Sequence, residues 1–221
     1  MARLEAMAKM GYYPTPEDLT PIIANYLKPK EEKGTIRIFD PCAGEGTALR
    51  AIGDHLGAET YGIEIDKKRG KEAQKKLTRC LITDYQRTQI TPRFASLLWL
   101  NPPYDWATKK DELETSERYE RTFLRDTTKY LIPGGILVYL IPLKRLDRTI
   151  AKMLSYRFEK IRLYRFPEGL YQQFKQTVLL GTLKKTPSTD ENTFEYLKNA
   201  GNGKIPIPCL PEVLEIIYEV P

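Results

Sequence analysis

The residues of this chain best suited to chemistry are Asn101, Pro102, Pro103 and Tyr104, which follow one another directly after an apolar run at 94–100. An amide oxygen and a backbone carbonyl accept hydrogen bonds, and an aromatic ring offers a face for stacking. These types suit the task of holding a flat, weakly nucleophilic amine in place while its lone pair attacks. The motif therefore predicts group transfer to a planar nitrogen.

Adenine carries such a nitrogen, because the lone pair of its exocyclic amine is delocalised into the ring. If the Asn101 side-chain oxygen and the Pro102 carbonyl each accept one N–H, that nitrogen can become pyramidal and developing positive charge is stabilised. Pro103 would stiffen the turn, and Tyr104 would stack on the base. The competing interpretation of the four residues is a proline turn with a buried tyrosine.

A second candidate is the loop Asp40-Pro41-Cys42-Ala43-Gly44-Glu45-Gly46-Thr47. Its small residues would let a ligand approach the backbone at the carboxyl end of a strand. The acids Asp40 and Glu45 would repel a pyrophosphate and favour a ligand with an ammonium group and a sulfonium. This loop predicts S-adenosylmethionine as cofactor; the alternative is a tight turn with a solvated Glu45.

Two further acids lie at the ends of the next predicted strands. Glu64 is placed to accept the hydroxyls of a ribose, and Asp84 to accept from an adenine amino group. Considered alone, Asp84 would be a helix cap or a turn residue more often than a ligand contact.

The elements that would position these residues alternate along the chain. Short strand patterns are separated by helical periodicity, which predicts βαβ units and a mostly parallel sheet. Two later strands without a helical pattern between them predict an antiparallel hairpin at one edge. The predicted strands are 35–40, 60–64, 80–84, 95–100, 136–141, 158–166 and 177–184, and the predicted helices are 15–27, 46–56, 67–77 and 118–131.

The remaining segments carry less pattern. Thr15 would cap the first helix, with Pro16 at its first position. Residues 105–117 are charged and follow the motif at 101–104, so we expect a mobile loop over the site. Residues 186–221 are rich in proline, asparagine and glycine and are predicted to form an extended tail with one short element at 212–218.

Composition limits the function classes. The 221 residues are 41% hydrophobic and 29% charged, which is typical of a globular chain with a full core. No apolar run is long enough for a membrane span and no signal peptide is visible, so a cytoplasmic protein is expected. Three cysteines and the single histidine, His55, argue against a disulfide framework and against a metal site.

The net charge is +6 and the sequence pI about 9.0, which is compatible with a polyanionic partner. The clusters Lys67-Lys68-Arg69 and Lys75-Lys76 are interpreted as solvated helix faces.

Taken in order, these motifs resemble the class I S-adenosylmethionine-dependent methyltransferases that carry an Asn-Pro-Pro-Tyr motif, and among them the DNA adenine-N6 methyltransferases. The similarity covers about residues 11–184, including Tyr12-Tyr13-Pro14-Thr15-Pro16, which matches a segment that packs against the cofactor. The resemblance implies a Rossmann-like α/β fold with a seven-stranded, mostly parallel sheet and an antiparallel edge hairpin. The cofactor-binding residues that it implies are Tyr13, Pro14, Thr15, Asp40, Cys42, Ala43, Gly44, Glu45, Gly46, Glu64, Ile65, Asp84, Tyr85 and Asn101.

The same resemblance implies methyl transfer to adenine N6 in DNA after base flipping, with Tyr104, Phe166, Tyr171 and Phe174 against the target base. It implies a methyltransferase domain at 1–185, whose first 30 residues pack on the cofactor, and the tail at 186–221. No separate target-recognition region is visible, so a partner or specificity subunit is expected if the enzyme is site-specific. The alternatives are the same chemistry on RNA (adenine N6 or guanine N2) or on a protein glutamine, and a non-catalytic nucleic-acid-binding subunit.

Overall fold

A computed structural model describes residues 14–31, 34–104, 118–170, 175–210 and 217–221. Within these ranges strands and helices alternate as the sequence pattern predicts. The strands are β1 (Leu27–Pro29), β2 (Arg37–Asp40), β3 (Glu59–Glu64), β4 (Arg79–Ile82), β5 (Ala95–Leu100), β6 (Leu131–Pro142), β7 (Phe158–Arg165), β8 (Gln176–Leu183) and β9 (Tyr218–Val220). The α-helices are α1 (Leu19–Ala24), α2 (Thr47–Leu56), α3 (Lys67–Lys76), α4 (Tyr119–Thr127), α5 (Arg148–Arg157) and α6 (Glu191–Gly201).

Seven strands form the main sheet in the order β4-β3-β2-β5-β6-β8-β7. Strands β2 to β6 are parallel to one another, while β8 is antiparallel to both β6 and β7. The fold prediction of a Rossmann-like, mostly parallel sheet with an antiparallel hairpin at one edge is confirmed. Because β2 to β5 run in parallel, their carboxyl ends meet at one edge, where ligands bind in open α/β sheets.

Helices cover both faces of this sheet and close two hydrophobic clusters. One cluster joins α1, α2 and α3 to one face, and the other joins α4, α5 and α6 to the opposite face. All six residues of β5 are buried, as expected for a central parallel strand covered on both sides. The central strands are therefore fixed within the core, and the residues that follow them are held by a rigid base.

The N-terminal segment differs from its prediction. The helix predicted for 15–27 is shorter, spanning Leu19–Ala24 with Asp18 rather than Thr15 at its N-cap. Residues Leu27–Pro29 instead form β1, which pairs in parallel with β9 in a separate two-stranded sheet. The tertiary pairing with a distant strand overrides the local helical pattern.

The C-terminal segment also differs. The prediction of an extended tail is wrong at 191–201, where α6 forms. At 218–220 the chain is extended, in β9, and most of the short element predicted at 212–218 lies outside the described residues. The Asp190 carboxylate caps α6 by accepting from the Thr193 backbone N–H at 3.0 Å, and Phe194, Leu197 and Ala200 are buried. The spacing of these three residues indicates a helix, although asparagines and a nearby proline surround them.

Helix α5 was also absent from the prediction. Asp147 caps it by accepting from the Ile150 N–H at 2.9 Å, and its buried side chains Ile150, Ala151 and Leu154 lie on one helical face. The division of the chain at residue 185 remains a prediction. Among the residues that the structure describes, no helix is both long and apolar enough to cross a bilayer.

Candidate active site

Four polar side chains lie at the carboxyl ends of four neighbouring parallel strands. Asp40 ends β2, Glu64 ends β3, Asp84 follows β4 by two residues, and Asn101 follows β5 directly. The structure therefore brings together the four residues on which the sequence argument depends most.

The loop between β2 and α2 is tied to the end of β3. The Gly44 N–H donates to Glu64 Oε2 at 2.8 Å, and the Ala43 N–H donates to the Ile63 carbonyl at 2.8 Å. Gly46 has φ +76°, and a Cβ at that position would lie 3.1 Å from Leu77. A side chain there would be strained and crowded, so the loop needs a glycine.

Two clefts of ≈ 320 Å³ each open at this edge, and Cys42 and Asn101 line both of them. The first cleft includes the predicted residues Glu64, Ile65, Asp84 and Tyr85. The second cleft includes the predicted residues Pro14, Thr15, Asp40, Ala43, Gly44 and Glu45.

Glu64 is buried at the boundary of the first cleft and is held by donors from three sides. Its Oε2 accepts from the Gly44 N–H, while Oε1 accepts from the Asp66 N–H at 2.8 Å and from Arg69 Nη2 at 2.8 Å. Such donors fix the orientation of the carboxylate. Glu64 is therefore a pre-oriented acceptor.

Asp40 is equally buried but sits in different surroundings. Its Oδ1 accepts from the Cys42 N–H at 2.8 Å. Burial raises the pKa of Asp40 to about 7, and the nearby Glu64 carboxylate also favours the neutral acid. A cation entering the second cleft would restore the charged form of Asp40.

Aromatic side chains wall the first cleft. The rings of Tyr85 and Phe123 are 4.2 Å apart between centroids, and Tyr119 lines the same cleft. Burial raises the pKa of Tyr85 to about 12. Ile65, which is 67% exposed, faces this cleft. A flat heterocycle would find apolar surfaces here, with Asp84 at the edge of the cleft.

The position of Asp84 fits both interpretations that its sequence context left open. Its Oδ1 accepts from the Gln86 N–H at 3.0 Å and caps the short 3-10 turn Tyr85–Arg87. The residue also lines the first cleft.

Asn101 links the two clefts and the N-terminal segment. Its Nδ2 donates to Thr15 Oγ1 at 3.2 Å, and its backbone carbonyl accepts from Cys42 Sγ at 3.2 Å. Burial raises the pKa of the Cys42 thiol well above its usual value, so this cysteine acts as a neutral donor. The contact with Thr15 holds the Nδ2 end of the Asn101 amide and so fixes the orientation of Oδ1.

Tyr104 lies differently from its prediction. Its side chain is buried, and its hydroxyl donates to Asn101 Oδ1 at 2.7 Å and contacts the Leu140 carbonyl at 3.3 Å. The ring is not presented to either cleft, which matches the competing interpretation of a proline turn with a buried tyrosine. Pro102 is also buried, whereas Pro103 lines the first cleft. Stacking by Tyr104 would require this turn to rearrange.

Phe166 does not reach the site. Its ring is fully buried in the hydrophobic cluster with α1 and α2, because the chain turns it inward after β7. This placement contradicts its predicted role as a stacking face for a base. The other predicted residues Tyr13, Tyr171 and Phe174, and the loop predicted at 105–117, lie outside the described residues.

Several lining residues were missed by the sequence argument. Arg69 was interpreted only as part of a solvated helix face, yet it turns back to Glu64 and is 19% exposed. Its position in the first turn of α3, five residues after Glu64, was an available signal. The others are Glu17 and Trp99 in the second cleft, and Thr83, Gln86, Tyr119 and Phe123 in the first.

These acceptors suit a ligand with a cationic end and a nucleoside end. In the second cleft, Asp40 has a raised pKa and would become charged beside a cation. In the first cleft, the carboxylate of Glu64 is held in a fixed orientation near the aromatic rings of Tyr85 and Phe123. Within the described part of the chain, His, Cys, Asp and Glu side chains form no group of three or more that could hold a metal ion.

A family model described as "Uncharacterised methyltransferase family (DUF6094)" matches residues 1–221. No curated protein matches the sequence. The family assignment therefore covers the whole chain and depends on the family model alone.

Solved structures share the fold at low sequence identity. The methyltransferase subunit of a type I restriction-modification system from Streptococcus thermophilus superposes with TM-score 0.56 and 16% identity, over 89% of this chain and 54% of that subunit. The tRNA (m1A58) methyltransferase TrmI from Aquifex aeolicus superposes with TM-score 0.54 and 18% identity, over 79% of this chain and 71% of that protein. TYW2 from P. horikoshii, solved with MeSAdo, gives TM-score 0.51 and 18% identity, over 80% of this chain and 66% of TYW2. The chain spans about half of the restriction-modification subunit.

Proposed function

The chain belongs to the methyltransferase family whose model it matches over its whole length, and from this premise we propose that it transfers a methyl group from S-adenosylmethionine to the exocyclic N6 of adenine in DNA. A base in duplex DNA must leave the stack to reach a buried site, so base flipping is part of the proposal. We place the reaction in the cytoplasm.

The observation that carries the proposal is the position of Asn101. It lines both clefts, and the residues on either side of it suit the two halves of the cofactor. An amide at that junction lies where the reacting group of a ligand spanning both clefts would be. Asn101 is therefore the side chain best placed to hold a planar amine for attack.

The cofactor supplies an electrophilic methyl group on a sulfonium. Asp40 would pair with the ammonium group in the second cleft, Glu64 would accept the ribose hydroxyls, and Asp84 would accept from the adenine amino group. Asn101 Oδ1 would accept one N–H of the target amine, in place of the Tyr104 hydroxyl that it accepts from now. Release of Tyr104 would also free its ring to stack on the target base.

The fold does not distinguish between DNA and RNA as the substrate, since a restriction-modification methyltransferase subunit and a tRNA methyltransferase share it. The preference for DNA rests on the order of the motifs around Asn101. The same amide could serve an RNA base (adenine N6 or guanine N2) or a protein glutamine. A partner protein or specificity subunit would supply target recognition.

A tritiated-methyl assay against DNA, RNA and protein fractions tests the proposal, with each product digested to nucleosides or amino acids. We expect label in N6-methyl-2′-deoxyadenosine from DNA. Label in RNA or in methylglutamine would change the proposed substrate but not the proposed type of reaction. An absence of both transfer and cofactor binding would favour a non-catalytic nucleic-acid-binding subunit of this fold.

Asn101→Ala should lower methyl transfer by at least about a hundredfold while cofactor affinity changes little, because the amide acts on the target amine. Asn192→Ala is the matched control, since it makes the same change on an exposed face of α6. Equal losses of transfer and of cofactor affinity in Asn101→Ala would mean that this side chain maintains the fold of the site.

A further inference from the structure

Helix α3 is the most densely charged element of the described chain. Its ten residues, KKRGKEAQKK, contain six cations and one acid. The proposed methyl transfer uses none of these cations except through the contact of Arg69 with Glu64.

The cations in the N-terminal half of α3 do not stabilise the helix. No acid lies in the first turn of α3, where Lys67 and Lys68 stand at the positive end of the helix dipole. The pairs Lys67 with Lys71, and Lys71 with Lys75, are four residues apart and repel one another by about 0.2–0.5 kcal/mol each. Only Gly70 and Ala73 are buried in this helix. Lys75 and Lys76 lie in the last turn, where cations suit the dipole, but Lys67, Lys68 and Lys71 weaken the helix that carries them. Such conflicts are typical of functional sites.

Four of the cations form one exposed surface, the α3 surface, which consists of Lys67, Lys68, Lys71 and Lys75. Two other cations of the helix point elsewhere, because Arg69 contacts Glu64 and Lys76 Nζ bonds to Thr47 Oγ1 at 2.8 Å. Lys75 also contacts Glu72 at 2.7 Å, an exposed pair of little energetic weight.

The spacing of these lysines suits an extended polyanion. With a rise of about 1.5 Å per residue, Lys67, Lys71 and Lys75 follow one another about 6 Å apart along the helix. A surface of this kind neutralises successive phosphates of a strand, and the released counterions drive binding. Arg79, exposed at the start of β4, adds a further cation beyond the end of the helix.

A membrane surface fits less well. Helices that lie in a bilayer interface present large apolar side chains beside their cations, and the exposed residues of α3 are Lys, Gln and a half-exposed Glu. The exposed Ile65 precedes the helix and lines the first cleft.

We propose that the α3 surface binds the phosphate backbone of a nucleic acid. The surface begins next to Asp66, the N-cap of α3, two residues after Glu64. A strand bound along it would reach the mouth of the first cleft. This interpretation replaces the solvated helix face that the sequence alone suggested, and it does not depend on which base, if any, is methylated.

The test compares two triple variants of the full chain with equal loss of charge. Lys67→Gln/Lys68→Gln/Lys71→Gln removes three cations from the α3 surface, and Lys129→Gln/Lys152→Gln/Lys185→Gln removes three exposed cations from other elements. Binding of short fluorescent single-stranded and duplex DNA and RNA is measured by anisotropy over a salt series, without cofactor.

The α3 variant should bind at least about tenfold more weakly at low salt. The slope of log K against log salt should become less negative by about 2–3, the change expected on loss of three phosphate contacts. The control variant should stay within about twofold of the wild type. The thermal midpoint of the α3 variant should stay equal or rise, since repulsion within the helix is relieved.

Equal losses in both variants would overturn the proposal, because net charge alone would explain them. No nucleic-acid binding by the wild type, or binding only to phosphatidylserine vesicles, would also overturn it. The outcome is separate from that of the methyl-transfer assay. A wild type that binds through α3 but yields no N6-methyl-2′-deoxyadenosine would refute the proposed function alone, and the reverse result would refute this inference alone.

Discussion

The two carboxylates of the site, Asp40 and Glu64, are buried to the same extent, with 4% of each residue exposed, yet their surroundings differ. Glu64 accepts from the Gly44 and Asp66 N–H groups and from Arg69. Asp40 accepts from the Cys42 N–H, and burial raises its pKa to about 7. Equal burial thus gives one carboxylate whose oxygens are held by several protein donors and one whose charge the protein opposes.

This difference separates two kinds of binding residue. A carboxylate already satisfied by protein donors offers its remaining lone pairs to neutral hydroxyls at little cost in reorganisation. A buried carboxylate with fewer such donors is costly to ionise alone but interacts strongly with a cation that enters its cleft. Under the proposed function, Glu64 serves the ribose and Asp40 the ammonium group. Each of the following predictions tests one side of this contrast.

Glu64→Ala should give the largest effect. It removes the acceptor of three protein donors as well as the ribose contact, so we expect the free energy of unfolding to fall by about 3 kcal/mol and cofactor affinity to fall by at least about a hundredfold. Thermal denaturation and calorimetric titration with S-adenosylhomocysteine measure the two quantities.

Glu59→Ala is the matched control, because Glu59 begins the same strand and forms a half-exposed pair with Arg37. Its effect on both quantities should be small. Unchanged cofactor affinity in Glu64→Ala would refute the ribose assignment even if the protein became less stable.

Asp40→Asn should separate stability from binding. The amide oxygen can still accept from the Cys42 N–H, while the buried charge is removed. At about pH 8 we expect cofactor affinity to fall by about 2 kcal/mol, or roughly thirtyfold, and the free energy of unfolding to rise, by at most about 4 kcal/mol.

The sign follows from the pKa of Asp40, which is about 7 in the folded protein against an ordinary value of 3.8. The folded state retains a proton that the unfolded state has released, so stability falls as pH rises through this window. Asp54→Asn, on the exposed end of α2, is the control. A loss of stability in Asp40→Asn at about pH 8 would contradict a charge opposed by the fold.

The pH dependence of cofactor affinity should be the smallest effect. Because binding of the ammonium group needs ionised Asp40, affinity should rise about tenfold between about pH 6 and pH 8 and level off above that range. Calorimetry with S-adenosylhomocysteine in buffers of different ionisation enthalpy would show release of a proton on binding. The Asp40→Asn variant should lack both the slope and the released proton, and a flat profile in the wild type would argue against the pairing.

The sequence was a good guide to the centre of the fold. Strand β5 lies at the predicted residues, and α2 and α3 begin and end within one residue of their predictions. These elements combine strong local periodicity with burial in a parallel sheet, so local pattern and tertiary structure agree. At β1 the partner strand is distant in sequence, and local pattern carries no information about it.

For the site, the sequence located positions but not orientations. Strand ends predicted that Asp40, Glu64, Asp84 and Asn101 would share an edge. The inward turn of Tyr104 towards Leu140, the contact of Arg69 with Glu64, and the burial of Phe166 depend on side-chain packing between elements that are far apart in the chain.

The pairing of β1 with β9 bears on how the protein is made. Leu27 lies opposite Tyr218, and the Lys30 N–H donates to the Val220 carbonyl at 2.9 Å. On a ribosome, residues 27–29 emerge early and wait for their partner strand until residues 218–220 have been synthesised. Folding in the order of translation therefore cannot complete this part of the molecule, and the nascent chain would expose an unpaired strand for most of its synthesis.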